Sequence, residues 1–136
     1  MNDAARSAKA YPSGSAKGRG FPRSVRLLRH ADFEQVYRRG ERQFAAHMTL
    51  FYLAREQGGT RVGFTVGRVL GGAVVRNRMK RLLREVVRLQ GLELGAVDVV
   101  INPTKSLLDA EFTELQKEAG RAFRVIERKL AEKRTK

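Results

Sequence analysis

The segment Arg76-Asn77-Arg78-Met79-Lys80-Arg81-Leu82-Leu83-Arg84-Glu85 gathers the side chains best suited to chemistry with a polyanion. On a helix of about 100° per residue, Asn77, Arg81, Arg84 and Arg88 share one side with Lys80 beside them. Met79, Leu82, Leu83, Val86 and Val87 share the other. The polar side is then a stripe of guanidinium groups with one amide, and each planar guanidinium fork can hold two phosphate oxygens at once. From Arg68 to Arg84 there are six basic residues and no acid. Cations at i and i+4, as at Arg76, Lys80 and Arg84, repel one another, and a bound polyanion relieves that repulsion. Most charge runs are merely solvated faces, but such faces usually interleave acids. Their absence here favours phosphate binding. Gly71-Gly72, ahead of this run, could add backbone N–H donors for a phosphate, a weaker signal.

The rest of the chain offers little alternative chemistry. Its 136 residues include 28 Lys+Arg and 14 Asp+Glu, a formal charge of +14, and no cysteine. Disulfides, cysteine zinc sites and thiol nucleophiles are excluded, and two isolated histidines, His30 and His47, do not make a metal centre. Asp98 is alone in an apolar stretch and Glu85 lies within the basic helix, so neither builds a two-metal carboxylate site. No catalytic or metal-ligating residue is therefore assigned. Residues 61–90 hold eight basic residues and one acid, half of the net charge, whereas residues 91–136 carry only +1. Charge added for solubility would be spread evenly; a binding face concentrates it. No apolar run approaches the roughly 20 residues of a membrane span, and the N-terminus lacks the apolar stretch of a signal peptide. A cytoplasmic protein with no membrane partner is expected.

The basic stripe needs a scaffold, and 42% apolar residues over this length suffice for one core. Residues 1–20, rich in Ala, Ser, Gly and cations, read as a disordered basic tail, residues 21–133 as a single domain, and 134–136 as a C-terminal tail. Asp32 is a plausible N-cap for a short amphipathic helix ending at Gly40, with Phe33, Val36 and Tyr37 apolar. Ala46 to Arg55 predicts a strand buried on both faces. Gln57-Gly58-Gly59-Thr60 is a turn, and Arg61 to Arg68 predicts a second strand. Ala73 to Gln90 is the clearest helix, stopped by Gly91. Val97 to Ile101 predicts a strand stopped by Asn102-Pro103, and Asp109 a cap for a last helix from Ala110 to about Lys133. Phe33, Tyr37 and Phe51 are core residues by composition; if partly exposed near Arg68 they become stacking platforms for single-stranded bases.

The run Arg76-Asn77-Arg78-x-Lys80-Arg81-x-x-Arg84-Glu85 resembles the "RNR" motif of the bacterial ribonuclease P protein family. Asp32-Phe33-x-x-Val36-Tyr37-x-x-Gly40, Arg61-Val62-Gly63-Phe64-x-Val66 and Gly71-x-Ala73-Val74 follow that family's order and spacing, over about residues 22–130. The resemblance implies an α/β sandwich: a small mixed sheet with helices, of the ribosomal protein S5 domain 2-like type. It also implies a left-handed βαβ crossover, against the right-handed form of about 98% of such connections. It further implies that Arg76, Asn77, Arg78, Lys80, Arg81 and Arg84, with Arg88 on the same stripe, bind the catalytic RNA subunit. Phe33, Tyr37 and Phe51 would line a cleft for the 5′ leader of precursor tRNA, with Arg68 at its edge. Two positions depart from the family pattern: Arg68-Val69 stands where two lysines are common, and Gly72 where Asn is common.

The function so implied is that of the protein subunit of ribonuclease P, an endonuclease that matures tRNA 5′ ends. The implied chemistry belongs to the RNA subunit with its Mg²⁺, and ribonuclease P RNA and precursor tRNA are the expected partners, with no protein partner required. Three other readings compete. A structural RNA-binding module would use the same basic helix without cleavage, a self-sufficient nuclease would need a carboxylate cluster, and a membrane-surface helix would carry Trp or Phe on its apolar side.

Overall fold

A computed structural model describes residues 29–134 apart from residue 92. The expected tail at residues 1–20 lies outside the described residues. Along the chain run α1 (His30–Arg39), β1 (Glu41–Phe44), β2 (Met48–Ala54), β3 (Arg61–Phe64), α2 (Ala73–Gln90), β4 (Val97–Pro103) and α3 (Phe112–Arg134). Short 3-10 turns at Arg68–Leu70 and Lys105–Asp109 lead towards α2 and α3. The four strands form one mixed sheet in the order β1-β2-β4-β3. β1 and β4 both pair antiparallel with β2, while β3 pairs parallel with β4. Parallel neighbours cannot be joined by a hairpin, so the chain must cross from one end of the sheet to the other. α2 is that crossover.

The alternation along β2 explains why the sheet is covered on both sides. Met48, Leu50 and Tyr52 point to one face, where they join Val62, Val97, Val99 and Ile101 against Met79, Leu83, Val86 and Val87 of α2. Leu115, Ala119, Phe123, Ile126 and Leu130 of α3 complete that core. On the opposite face Phe51 and Leu53 of β2 and Val100 of β4 meet Phe33 and Val36 of α1. Each fully buried Leu, Ile or Met in these layers contributes about 1.5–3 kcal/mol of transfer free energy. β2 is thus buried on one face and half-buried on the other, short of the double burial that its continuous apolar run predicts.

Several expected boundaries change. Asp32 does not cap α1; Arg29 occupies the cap position without a side-chain hydrogen bond, and Asp32 sits in the first turn. Its carboxylate is used instead on Arg61, 3.4 Å away. Asp109 ends a 3-10 turn, and α3 starts at Phe112 and continues through Arg134, the first residue of the expected C-terminal tail. The strand expected over Arg61 to Arg68 ends at Phe64, because the chain turns towards α2. β4 runs past Asn102 and through Pro103, which pair with Thr49 and Met48. Proline is tolerated at a strand terminus, where a missing donor is least costly. β1 is an addition: Glu41-Arg42-Gln43-Phe44 has one apolar residue in four, and its strand character comes from pairing with β2.

Gly40 joins α1 to β1 at a close approach. Its N–H bonds the Val36 carbonyl at 2.9 Å, and a Cβ on it would lie 2.5 Å from both the Tyr52 and Val36 carbonyl oxygens. Gly40→Ala is therefore expected to cost about 1–3 kcal/mol by overpacking. Gly59→Ala, at a position with no atom within 4 Å of the new methyl, serves as the unaffected control in denaturant unfolding.

The buried Tyr52 hydroxyl donates to Glu41 Oε1 at 3.2 Å. Burial and the adjacent Glu41 charge push its pKa up to about 12. A tyrosine pKa raised on folding adds stability that is complete below the unfolded value of about 10 and is lost as pH rises towards the folded one. Ultraviolet titration should therefore show one tyrosine ionising near pH 12, with unfolding becoming easier from about pH 10 upward. Tyr52→Phe should remove that late step.

Candidate nucleic-acid interface

α2 forms because its apolar residues recur at helical spacing, and its burial divides the segment as the wheel predicts. Met79, Leu83, Val86 and Val87 are buried, Asn77 and Arg78 are exposed, and Arg76, Lys80, Arg81, Arg84 and Arg88 are half-buried along the flank. Partial burial of these cations fits long stems lying along the protein surface, although the Arg88 guanidinium is turned inward. The first turn of α2 has no acid and no side-chain cap, so its N-terminal N–H groups add positive potential beside the arginines. Arg76 is fixed from below: its Nε donates to the Gly71 carbonyl at 3.0 Å, which ties the motif to the glycine turn. At the far end, Arg88 donates through Nε and Nη2 to the buried Glu85 carboxylate at 3.3 and 2.9 Å. Glu85 therefore offsets part of the Arg88 charge.

The second group lies on the sheet face that α1 only partly covers. Phe33 is half-buried and packs with Val36, Phe51, Leu53 and Val100. Tyr37 is 39% exposed, and its ring meets Phe51 edge-on, with centroids 4.9 Å apart and planes at 80°. The structure thus brings Phe33, Tyr37 and Phe51 together. The Tyr37 hydroxyl lies 2.8 Å from Thr65 Oγ1 and 3.0 Å from Asn102 Oδ1, so a hydroxyl and an amide join the aromatic cluster. Arg68 is exposed in the turn between β3 and α2. Thr65 and Asn102 escaped sequence reasoning, since Asn102 beside Pro103 reads as a strand stop and only the β2–β4 register brings it under Tyr37. Arg42 and Phe44 of β1 were missed for a similar reason. The only signal was the alternation of Arg42 and Phe44 in a polar stretch.

A buried ion network sets the position of α1. Asp98 is 4% exposed and accepts from Arg55 Nε at 2.8 Å and from Arg61 Nε and Nη2 at 2.9 Å each. Arg61 then reaches Asp32 on α1. Asp98 holds the guanidinium pKa of Arg61 above its ordinary value against the opposing effect of burial.

A family model described as Ribonuclease P matches residues 21–127. The chain belongs to the ribonuclease P protein family. A ribonuclease P protein component from Geobacter sp. (strain M21) is 35% identical over 111 residues, covering 82% of this chain and 96% of the relative. That from Desulfovibrio desulfuricans is 47% identical over 87 residues, covering 62% and 67%. The Staphylococcus aureus RNase P protein structure superposes with a TM-score of 0.67 at 22% identity, covering 76% of this chain and 96% of that one. The Thermotoga maritima RNase P protein gives 0.63 at 23%, covering 73% and 96%. At those identities the two structures establish the fold, and the family match carries the role: the protein component of the ribonuclease P holoenzyme in tRNA 5′ processing.

Among the described residues, the side chains of this ribonuclease P protein offer no cluster that fits a resident Mg²⁺. No group of three or more His, Cys, Asp or Glu is found among the described residues. Asp32 and Asp98 are engaged by Arg61, His47 Nδ1 lies 2.7 Å from Ser106 Oγ, and His30 is 3.5 Å from Glu34. In RNA titrations, Arg84→Ala should lower the slope of log affinity against log salt by about one, the loss of one phosphate contact. Arg88→Ala should lower it by less. Removing Arg88 also deprives the buried Glu85 carboxylate of two donors, so this variant should lose about 1–3 kcal/mol in denaturant unfolding.

Proposed function

We propose that this chain binds the catalytic ribonuclease P RNA through the α2 stripe of Arg76, Asn77, Arg78, Lys80, Arg81 and Arg84, with Arg88 at its margin, and receives the precursor tRNA leader in the cleft of Phe33, Tyr37 and Phe51. Arg68 supplies a cation between the two surfaces. The observation that carries this reading is the placement of the stripe: Met79, Leu83, Val86 and Val87 are buried in the core, leaving the acid-poor side to a polyanion. The exposure of Tyr37 weighs against a purely structural RNA-binding module, which would have no use for an aromatic cleft. Such a cleft suits a single strand, because every base presents a π-face to an aromatic ring.

In this mechanism the RNA subunit holds Mg²⁺, which supplies the hydrolytic chemistry when bound. The side chains of this chain lower phosphate repulsion and hold the leader in register. Arg78 and Arg84 contribute charge and bidentate donors to backbone phosphates. Tyr37 and Phe51 offer stacking surface, while Thr65 and Asn102 anchor the hydroxyl end of Tyr37. Such neutralisation reduces the metal concentration that the RNA needs and weakens as salt rises. The compartment that fits this work is the cytoplasm, with no protein partner required. Among the described residues no helix is long and apolar enough to cross a membrane.

The test is cleavage of a precursor tRNA by ribonuclease P RNA with and without this protein at low Mg²⁺. Stimulation by the protein, together with no cleavage by the protein alone, is expected; no stimulation at any Mg²⁺ concentration would reject the reading. Tyr37→Ala should weaken affinity for leader-bearing tRNA by roughly 5-fold or more, the value of one stacked base, and leave mature tRNA binding unchanged.

A further inference from the structure

The sheet face beside Tyr37 continues onto β1, and its side chains form a ladder. In the β1–β2 register Arg42 is opposite Phe51 and Phe44 is opposite Thr49, so all four side chains share one face. Starting from the edge-on pair of Tyr37 and Phe51, the Arg42 guanidinium lies 5.9 Å from the Phe51 ring centroid and 5.6 Å from that of Phe44. The sequence along this face is therefore aromatic, aromatic, cation, aromatic. Phe44 is 66% exposed, although packing demands nothing of a phenyl group on an edge strand. A large apolar ring held in water beside an exposed guanidinium has the chemistry of a base-stacking site: a π-face for the base and a cation for the neighbouring phosphate.

We propose that Arg42 and Phe44 form a second single-strand binding site, continuous with the leader cleft, that takes a distal nucleotide of the precursor tRNA leader. This rests on the leader reading of the Tyr37–Phe51 cleft given above. The direction follows from the topology. β3 runs into Arg68 and the basic α2, which bind the catalytic RNA in that reading, and β1 lies at the opposite edge of the sheet. A strand that begins near α2 and crosses Asn102 of β4 and Phe51 of β2 reaches Arg42 and Phe44 last. Those residues therefore meet the part of the leader farthest from the cleavage site. Single-stranded RNA suits this surface because the site is a row of flat faces with one cation and no deep pocket. The β1 site would thus reward leader length with little demand on base identity.

The experiment uses holoenzyme assembled from the full chain and ribonuclease P RNA, with precursor tRNAs carrying leaders of about four and about ten nucleotides, a span matched to single-strand site sizes. Phe44→Leu, which keeps apolar bulk but removes the π-face, should weaken the long-leader affinity by roughly 5-fold or more and leave the short-leader affinity unchanged. Phe44→Tyr should restore it, and Arg42→Gln should reduce the salt slope by about one for the long leader alone. Unchanged long-leader affinity in Phe44→Leu, or equal losses on both leaders, overturns the proposal. Tyr37→Ala in the same assay separates the two levels. If it weakens both leaders while Phe44→Leu alters neither, the cleft stands and its extension falls; if it alters neither leader, the cleft and the extension fall together.

Discussion

Arg61 between two carboxylates is the contact on which the geometry of this protein depends. It grips Asp98, a charge buried in β4 that would be costly alone, and reaches out to Asp32 on α1. Breaking such a buried pair by removing one partner typically costs about 3–5 kcal/mol, because an uncompensated charge is left behind. Arg55 engages the same carboxylate and also donates to the Gln57 and Gly59 carbonyls, so the β2–β3 turn is fixed by the same centre. With one end of α1 pinned by Asp32 and its middle packed through Val36, the helix covers only part of the sheet face. The remainder is open, and the aromatic surface lies there.

The two candidate RNA surfaces owe their character to the same division between covered and uncovered faces. On α2 the core takes Met79, Leu83, Val86 and Val87, and the stripe opposite is left half-buried or exposed. Glu85 is the exception. It is the single acid of the motif and is buried against Arg88, where it serves the fold and not the surface. On the sheet, helices α2 and α3 cover one face, so any ligand must approach from the α1 side. The β3-to-α2 connection, containing the exposed Arg68, leads from the sheet to the start of the stripe.

Much of the scaffold is legible in the residues. α2 falls on the expected residues, Ala73 to Gln90, because heptad-like apolar spacing and a glycine stop agree over eighteen residues. β2 reads as doubly buried because its apolar residues do not alternate with polar ones, and the structure buries one face and half-buries the other. Other elements failed for definable reasons. Asp32 and Asp109 look like caps, but a carboxylate near a helix start has competing uses, and an ion pair with Arg61 claims the first. β1 carries no apolar pattern, since an edge strand with one solvated face needs none; cross-strand hydrogen bonds make it a strand. Asn102-Pro103 reads as a terminator, yet a strand can run through Pro at its last position.

The sequence by itself determined the chemistry of the α2 stripe: helical periodicity places its cations opposite its apolar residues whatever the helix packs against, and the RNR spacing names the family. It also supplied the aromatic residues Phe33, Tyr37 and Phe51. Only the tertiary structure decided that these three meet, that Thr65 and Asn102 hold the Tyr37 hydroxyl, and that Arg42 and Phe44 continue the row. The physical reason is the range of the interactions. A helical face is set by neighbours three and four residues apart, whereas a surface across a mixed sheet is set by strand register and crossover between residues as distant as Tyr37 and Asn102, which local pattern does not encode.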